Sequence, residues 1–176
     1  VLFRSLSIKR LETEIGEGRS KKHTFINGDS CEELKKMESN IFDFMVTSPP
    51  YWGILGKQDQ KVKKNRVANN LDTKYSDNEK DLGNVEDYND FLNILVNKVF
   101  MECARVIKTD KYMSIIVSDF RDKSDFISFH SDLIHKMNNQ AVAGGGFLKL
   151  QGIKVLIQNH KSLIPYGYPF SYVENI

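Results

Sequence analysis

The sequence predicts an α/β domain, and three observations carry that prediction. A short apolar run, Ile41-Phe42-Asp43-Phe44-Met45-Val46, is stopped by Pro49 and Pro50. A long stretch after Asn84 repeats apolar residues at spacings of three and four. A second apolar run, Tyr112 to Val117, follows that stretch directly. Alternation between these two periodicities is the mark of strands crossed by helices.

Ile41–Val46 reads as a buried strand that ends in a rigid corner. Pro49 and Pro50 have restricted φ and no backbone N–H, so the ladder must stop there. Each also holds the preceding residue extended, which sends Ser48, Pro49 and Tyr51 out from the carboxyl end of the strand. Ligands of open α/β sheets bind at that end. The corner offers a hydroxyl at Ser48, carbonyl oxygens without competing N–H groups at the prolines, and flat faces at Tyr51 and Trp52. Those groups suit a planar ring with an exocyclic amine, whose nitrogen becomes more nucleophilic when two acceptors hold its protons.

Upstream, residues 1–21 read as a polar, glycine-interrupted leader outside the core, either frayed or an edge hairpin. Val1–Ser5 resembles translated adapter sequence and is set aside. His23–Asn27 reads as a short strand. Gly28-Asp29-Ser30 is the turn into a helix over Cys31–Met37, with Asp29 or Ser30 as its cap. Residues 53–83 form an irregular loop whose first half is basic, with Lys57, Lys61, Lys63, Lys64 and Arg66. Asn84–Asp87 caps the strongest helix, whose stripe Tyr88, Phe91, Leu92, Leu95, Val96, Val99, Phe100, Cys103 and Val106 is core. Thr109-Asp110 makes the turn into the next strand, and Asp119-Phe120-Arg121-Asp122 stands at its carboxyl end. Ile127–Met137 is an amphipathic helix. Its His130 and His135, five apart, are poorly spaced for one metal and read as surface or packing residues; no metal is expected. Gly144-Gly145-Gly146 precedes a strand-like run, so it fails the context of a phosphate loop. Phe147–Gln158 reads as one or two late strands.

At 176 residues, 40% hydrophobic and 27% charged, the chain has the size and composition of one folded domain. Its net charge of +2 permits a nucleic-acid partner but requires the footprint to be local. Isolated Cys31 and Cys103 suit reduced packing residues in a cytoplasmic setting. No apolar run approaches a membrane span.

Thr47-Ser48-Pro49-Pro50-Tyr51-Trp52 resembles the catalytic motif of S-adenosylmethionine-dependent DNA amino-methyltransferases. The serine form followed by Tyr-Trp is more typical of N4-cytosine enzymes, and the aspartate form of N6-adenine enzymes. The resemblance implies a Rossmann-like, mostly parallel sheet. It also implies that Ser48 and the Pro49 carbonyl hold the target amine and that Tyr51 stacks on a base flipped out of double-stranded DNA, with Pro50 stiffening the corner. Asp29 and Thr47 fall to the cofactor, although Asp29 is equally an N-cap. Trp52, Lys63 and Lys64 fall to the DNA, the lysines being alternatively a solvated loop. Asp119 and Arg121 line the target pocket, bind the backbone, or form an internal pair that closes their loop.

A cognate restriction endonuclease is a possible partner. The family's glycine-rich cofactor turn, Phe-x-Gly-x-Gly, does not occur in these residues. Residues 22–176 therefore read as the catalytic half of a permuted enzyme, incomplete at the cofactor-turn strand and inactive alone. The alternatives are an N6-adenine enzyme and a non-catalytic DNA-binding relic of the fold.

Overall fold

The computed structural model describes residues 2–53, 64, 67–69, 78, 80–122 and 125–156. Its centre is a strand, helix, strand unit. Strand β1 (Phe42–Thr47) and strand β2 (Ile107–Ile115) pair in parallel, with Phe44 opposite Tyr112 and Thr47 opposite Ile115. The connection runs through helix α4 (Tyr88–Ile94), a π-helical segment (Leu95–Phe100) and helix α5 (Met101–Val106). Parallel neighbours require such a crossover. The mixed architecture is compatible with the α/β class.

The helical stripe buries as its periodicity requires. Phe91, Leu92, Leu95, Val96 and Phe100 form the core with Phe120, Phe129, Leu133 and Met137, and Met113, Ile115 and Val117 pack against them from the sheet. Asp87 caps α4 by accepting the backbone N–H of Asp90 at 2.9 Å. The turn expected at Thr109-Asp110 is a bulge within β2. The register slips between Phe42 and Phe44, and Asp110 takes a φ of 60°, which an aspartate tolerates better than most residues.

Helix α3 (Ser30–Lys35) is fastened to this unit by Arg105. The guanidinium donates to the carbonyls of Leu34 at 2.8 Å and Met37 at 2.9 Å, to Ser39 Oγ at 3.1 Å, and to Glu102. A cation thus satisfies the free carbonyls at the end of α3.

Beyond β2, strands β3 (Phe120–Asp122) and β4 (Asp125–Ile127) form an antiparallel hairpin. Helix α6 (Phe129–Met137) follows, and its Phe129, Leu133 and Met137 complete the core. The chain then reverses: Asn139 N–H bonds the Leu148 carbonyl and Val142 N–H the Gly146 carbonyl. Gly144, Gly145 and Gly146 all have positive φ, the conformation for which glycine is suited, so the triplet is the tip of a reversal.

Several expectations are corrected. The polar leader is helical, as α1 (Leu2–Ile15) and α2 (Glu17–Ser20), divided at Gly16 with φ 81°. Lys, Arg, Glu and Leu are good helix formers, and Arg10 pairs with Glu14 one turn on at 2.8 Å. His23–Asn27 is irregular; no described strand lies beside it, and Ile26 is 55% exposed. The late strands reduce to a single bridge between Ala141 and Phe147, with residues 148–156 in no strand.

The strand expected to be buried is not: Phe44 and Val46 are 58% and 59% exposed. Helices cover one face of the β1–β2 pair. Phe42, Phe44, Val46, Tyr112 and Ile116 lie exposed on the strands' other alternation. The tail from 157 to 176 and most of the loop 53–83 lie outside the described residues. No described helix is long and apolar enough to cross a membrane.

Candidate active site

The corner follows β1 directly. Thr47 is its last residue, and the Thr47 carbonyl accepts the Ile116 N–H at 2.8 Å, carrying the parallel pairing to the end of both strands. Ser48 is exposed, Pro49 buried, and Pro50 half-buried. A buried proline anchors the turn while the neighbouring hydroxyl stays accessible.

Tyr51 crosses from the end of β1 to the end of β2. Its phenol oxygen accepts the Ser118 backbone N–H at 2.8 Å and the Ser118 hydroxyl at 3.1 Å. The ring stands edge-on to Phe120 and Phe129, with centroids 6.0 Å away in each case. Trp52 turns toward the helix side: its indole N–H donates to the Val85 carbonyl at 2.9 Å, and its ring meets Tyr88 edge-on at 5.3 Å. Both aromatics expected to face a base are half-buried and held by the core on one side. Tyr88 is locked in turn by its hydroxyl, which donates to Asp132 at 2.7 Å. Burial, with the carboxylate next, pushes its phenol well above the usual range.

Asp119 does not pair with Arg121. Its carboxylate spans Nδ1 of His130, at 2.7 Å to Oδ1 and 2.8 Å to Oδ2, and Oδ1 also accepts the His130 backbone N–H at 3.1 Å. Arg121 lies instead with its guanidinium carbon 5.8 Å from the Phe126 ring centroid, on the β3–β4 hairpin. The hairpin folds the chain back and so joins residues eleven apart. His130, read from sequence as a surface or packing residue, is therefore held by a carboxylate, one residue on from the Phe129 that meets the Tyr51 ring. The signal that would have found it is the reversal over Phe120–Ile127, hidden by strands only three residues long.

Asp29 is an N-cap, accepting the Cys31 N–H at 2.8 Å. The turn it closes is filled: a methyl group on Gly28 would lie 2.6 Å from Glu33 Cγ. Lys64 is exposed, and Lys63 lies outside the described residues. Among the described residues Cys31 and Cys103 are free thiols, and burial pushes Cys103 up to about 11.

Over 110 residues the chain is 29% identical to the type II methyltransferase M.SmaI of Serratia marcescens, a match covering 57% of this chain and 30% of that protein. This chain thus spans less than a third of the relative's length. No family model matches, and no solved structure does.

Proposed function

We propose that this chain is the catalytic half of a DNA amino-methyltransferase, built on a Rossmann-like sheet, that methylates the exocyclic amine of a flipped base, cytosine N4. The observation that carries the reading is the position of Ser48-Pro49-Pro50-Tyr51 at the carboxyl end of a parallel strand pair, with Ser48 open and Tyr51 tied to the neighbouring strand. The similarity to M.SmaI supports it independently.

The methyl group would come from S-adenosylmethionine, whose sulfonium supplies an activated methyl carbon. Thr47, which ends β1 at the corner, and Asp29, which caps α3, would take one side of that molecule. A glycine-rich cradle for its methionine part is not among these residues. The chain's own contribution is positioning. The Ser48 hydroxyl and the Pro49 carbonyl accept the two amine hydrogens, drawing the nitrogen lone pair out of conjugation and toward the methyl carbon. Tyr51 presents the part of its ring not covered by Phe120 and Phe129 to the base. Lys64 faces the phosphates of double-stranded DNA, and a cognate restriction endonuclease is the expected companion.

The test is transfer of tritium from labelled S-adenosylmethionine to unmethylated DNA by the full-length protein that carries this chain, with Tyr51→Ala alongside and methylated nucleosides identified by mass. N4-methylcytosine that vanishes in the variant is the expected result. N6-methyladenine would correct the base, and no transfer at all would overturn the reading.

A further inference from the structure

We propose that Asp119 and His130 form the proton-accepting pair of this site, an inference that rests on the methyl-transfer reading and extends it. The need is chemical. As the amine forms its bond to the methyl carbon and the S–C bond breaks, the electron pair of that bond stays on sulfur. The methylated nitrogen is left with two hydrogens and a positive charge. One proton must depart, and its N–H electron pair returns to nitrogen. Ser48 and the Pro49 carbonyl can orient those protons, but neither is a base strong enough to keep one.

His130 meets the requirement. Its Nδ1 faces both oxygens of Asp119, an arrangement possible only if Nδ1 carries the hydrogen, because a carboxylate is purely an acceptor. In the neutral ring Nε2 is then the acceptor. Ser131 Oγ lies 3.2 Å from Nε2 and itself accepts the Ser128 hydroxyl at 3.1 Å, so the hydroxyls are ordered as donors toward that nitrogen. When the Ser131 hydroxyl turns away and Nε2 takes the proton, Asp119 becomes the counter-ion of the imidazolium, the service a carboxylate gives histidine bases in other enzymes. The His130 side chain is 43% exposed, which opens a route for the proton to leave to water, while Asp119 is shielded at 22%.

The pair lies one residue beyond residues that contact Tyr51. Asp119 follows Ser118, which binds the Tyr51 phenol, and precedes Phe120; His130 follows Phe129; and the Tyr51 ring is edge-on to both phenylalanines. Two chain segments thus bring the pair to the Tyr51 side of the corner.

Two readouts on the full-length protein test this. In the first, nitrogen-15 histidine spectra are expected to show His130 protonated at Nδ1 in the neutral ring, and to lose that tautomer preference in Asp119→Asn. In the second, His130→Ala is expected to slow single-turnover methyl transfer about a hundredfold, to leave DNA affinity unchanged, and to recover with added imidazole. His135→Gln, on the exposed side of the same helix, is the control and keeps its rate. A neutral ring protonated at Nε2, an undiminished rate in His130→Ala, or a loss that imidazole does not repair overturns the proposal. A wild-type protein that transfers no methyl group, yet shows the Nδ1 tautomer, removes the methyl-transfer reading and this role with it.

Discussion

The phenol oxygen of Tyr51 accepts the backbone N–H of Ser118 at 2.8 Å, joining positions 67 residues apart in the chain. The bond ties the loop after β1 to the segment after β2, so the corner keeps its place only while the two strands stay in register. Tyr51 is a strut between strand ends through its phenol oxygen, and its ring packs edge-on against Phe120 and Phe129.

These two roles separate by substitution. Tyr51→Phe removes the acceptor for Ser118 but keeps the ring, and is expected to cost about 1 kcal/mol. Tyr51→Ala also removes the contacts with Phe120 and Phe129 and is expected to cost about 3 kcal/mol. Urea unfolding of both variants measures the difference; equal losses would mean the ring contributes nothing to the fold.

Arg105 joins α3 to α5 through four acceptors while largely shielded from water. Arg105→Met keeps much of the volume and removes every donor, leaving the carbonyls of Leu34 and Met37 without it. A loss of about 2 to 3 kcal/mol is expected, read as a lower urea midpoint with an unchanged slope.

Asp87 is the cap of the central helix. Asp87→Ala is expected to cost about 1 kcal/mol, and Glu86→Ala, which removes no capping bond found here, far less. Comparable losses from the two would show that the helix does not depend on this bond.

Alkaline pH is expected to destabilise the fold. Burial raises the Cys103 thiol from 9.0 to about 11, and burial with the Asp132 carboxylate raises the Tyr88 phenol. In both cases the folded state holds the proton more tightly than the unfolded one. The stability they contribute is complete below the unfolded values and is lost as pH rises, for Cys103 between about 9 and about 11. Thermal midpoints should fall across that range. Cys103→Ala should flatten the fall, and a parallel decline in that variant would assign the effect elsewhere.

The bare face of the sheet makes a separate prediction. Phe44 and Tyr112 are register partners, 58% and 60% exposed. Replacing both with threonine, which suits a strand, is expected to reduce light scattering of the concentrated chain and shift stability by less than about 1 kcal/mol. A large loss of stability would show that this face is packed.

Much of the fold around the corner could be read from the residues. The strand before the prolines lies within one residue of its expected position, and the helical stripe from Phe91 to Val106 buries as its spacing requires. The cap expected within Asn84–Asp87 is present at Asp87, while the turn expected at Thr109-Asp110 is a bulge inside β2. What the sequence concealed depends on contacts between distant segments. His130 carries no periodic signal that separates a packing histidine from one held by a carboxylate. The leader misled because its polarity resembles that of a loop, although a helix of good formers with pairs such as Arg10–Glu14 needs little burial.

By itself the sequence determined the chemistry of the corner, because proline restricts the backbone wherever it occurs and serine, proline and tyrosine carry their hydrogen-bonding groups into any fold. It determined the central helix as well, since periodicity and capping are local properties. Only the tertiary structure decided what the corner stands beside: Ser118 at the Tyr51 phenol, Asp119 on His130 instead of Arg121, and Trp52 against Val85 and Tyr88. Such partners are set by strand register and by a hairpin of two short strands. Those features arise when the core around Phe91, Phe120 and Phe129 closes, and that closure depends on packing between segments that no local stretch of sequence contains.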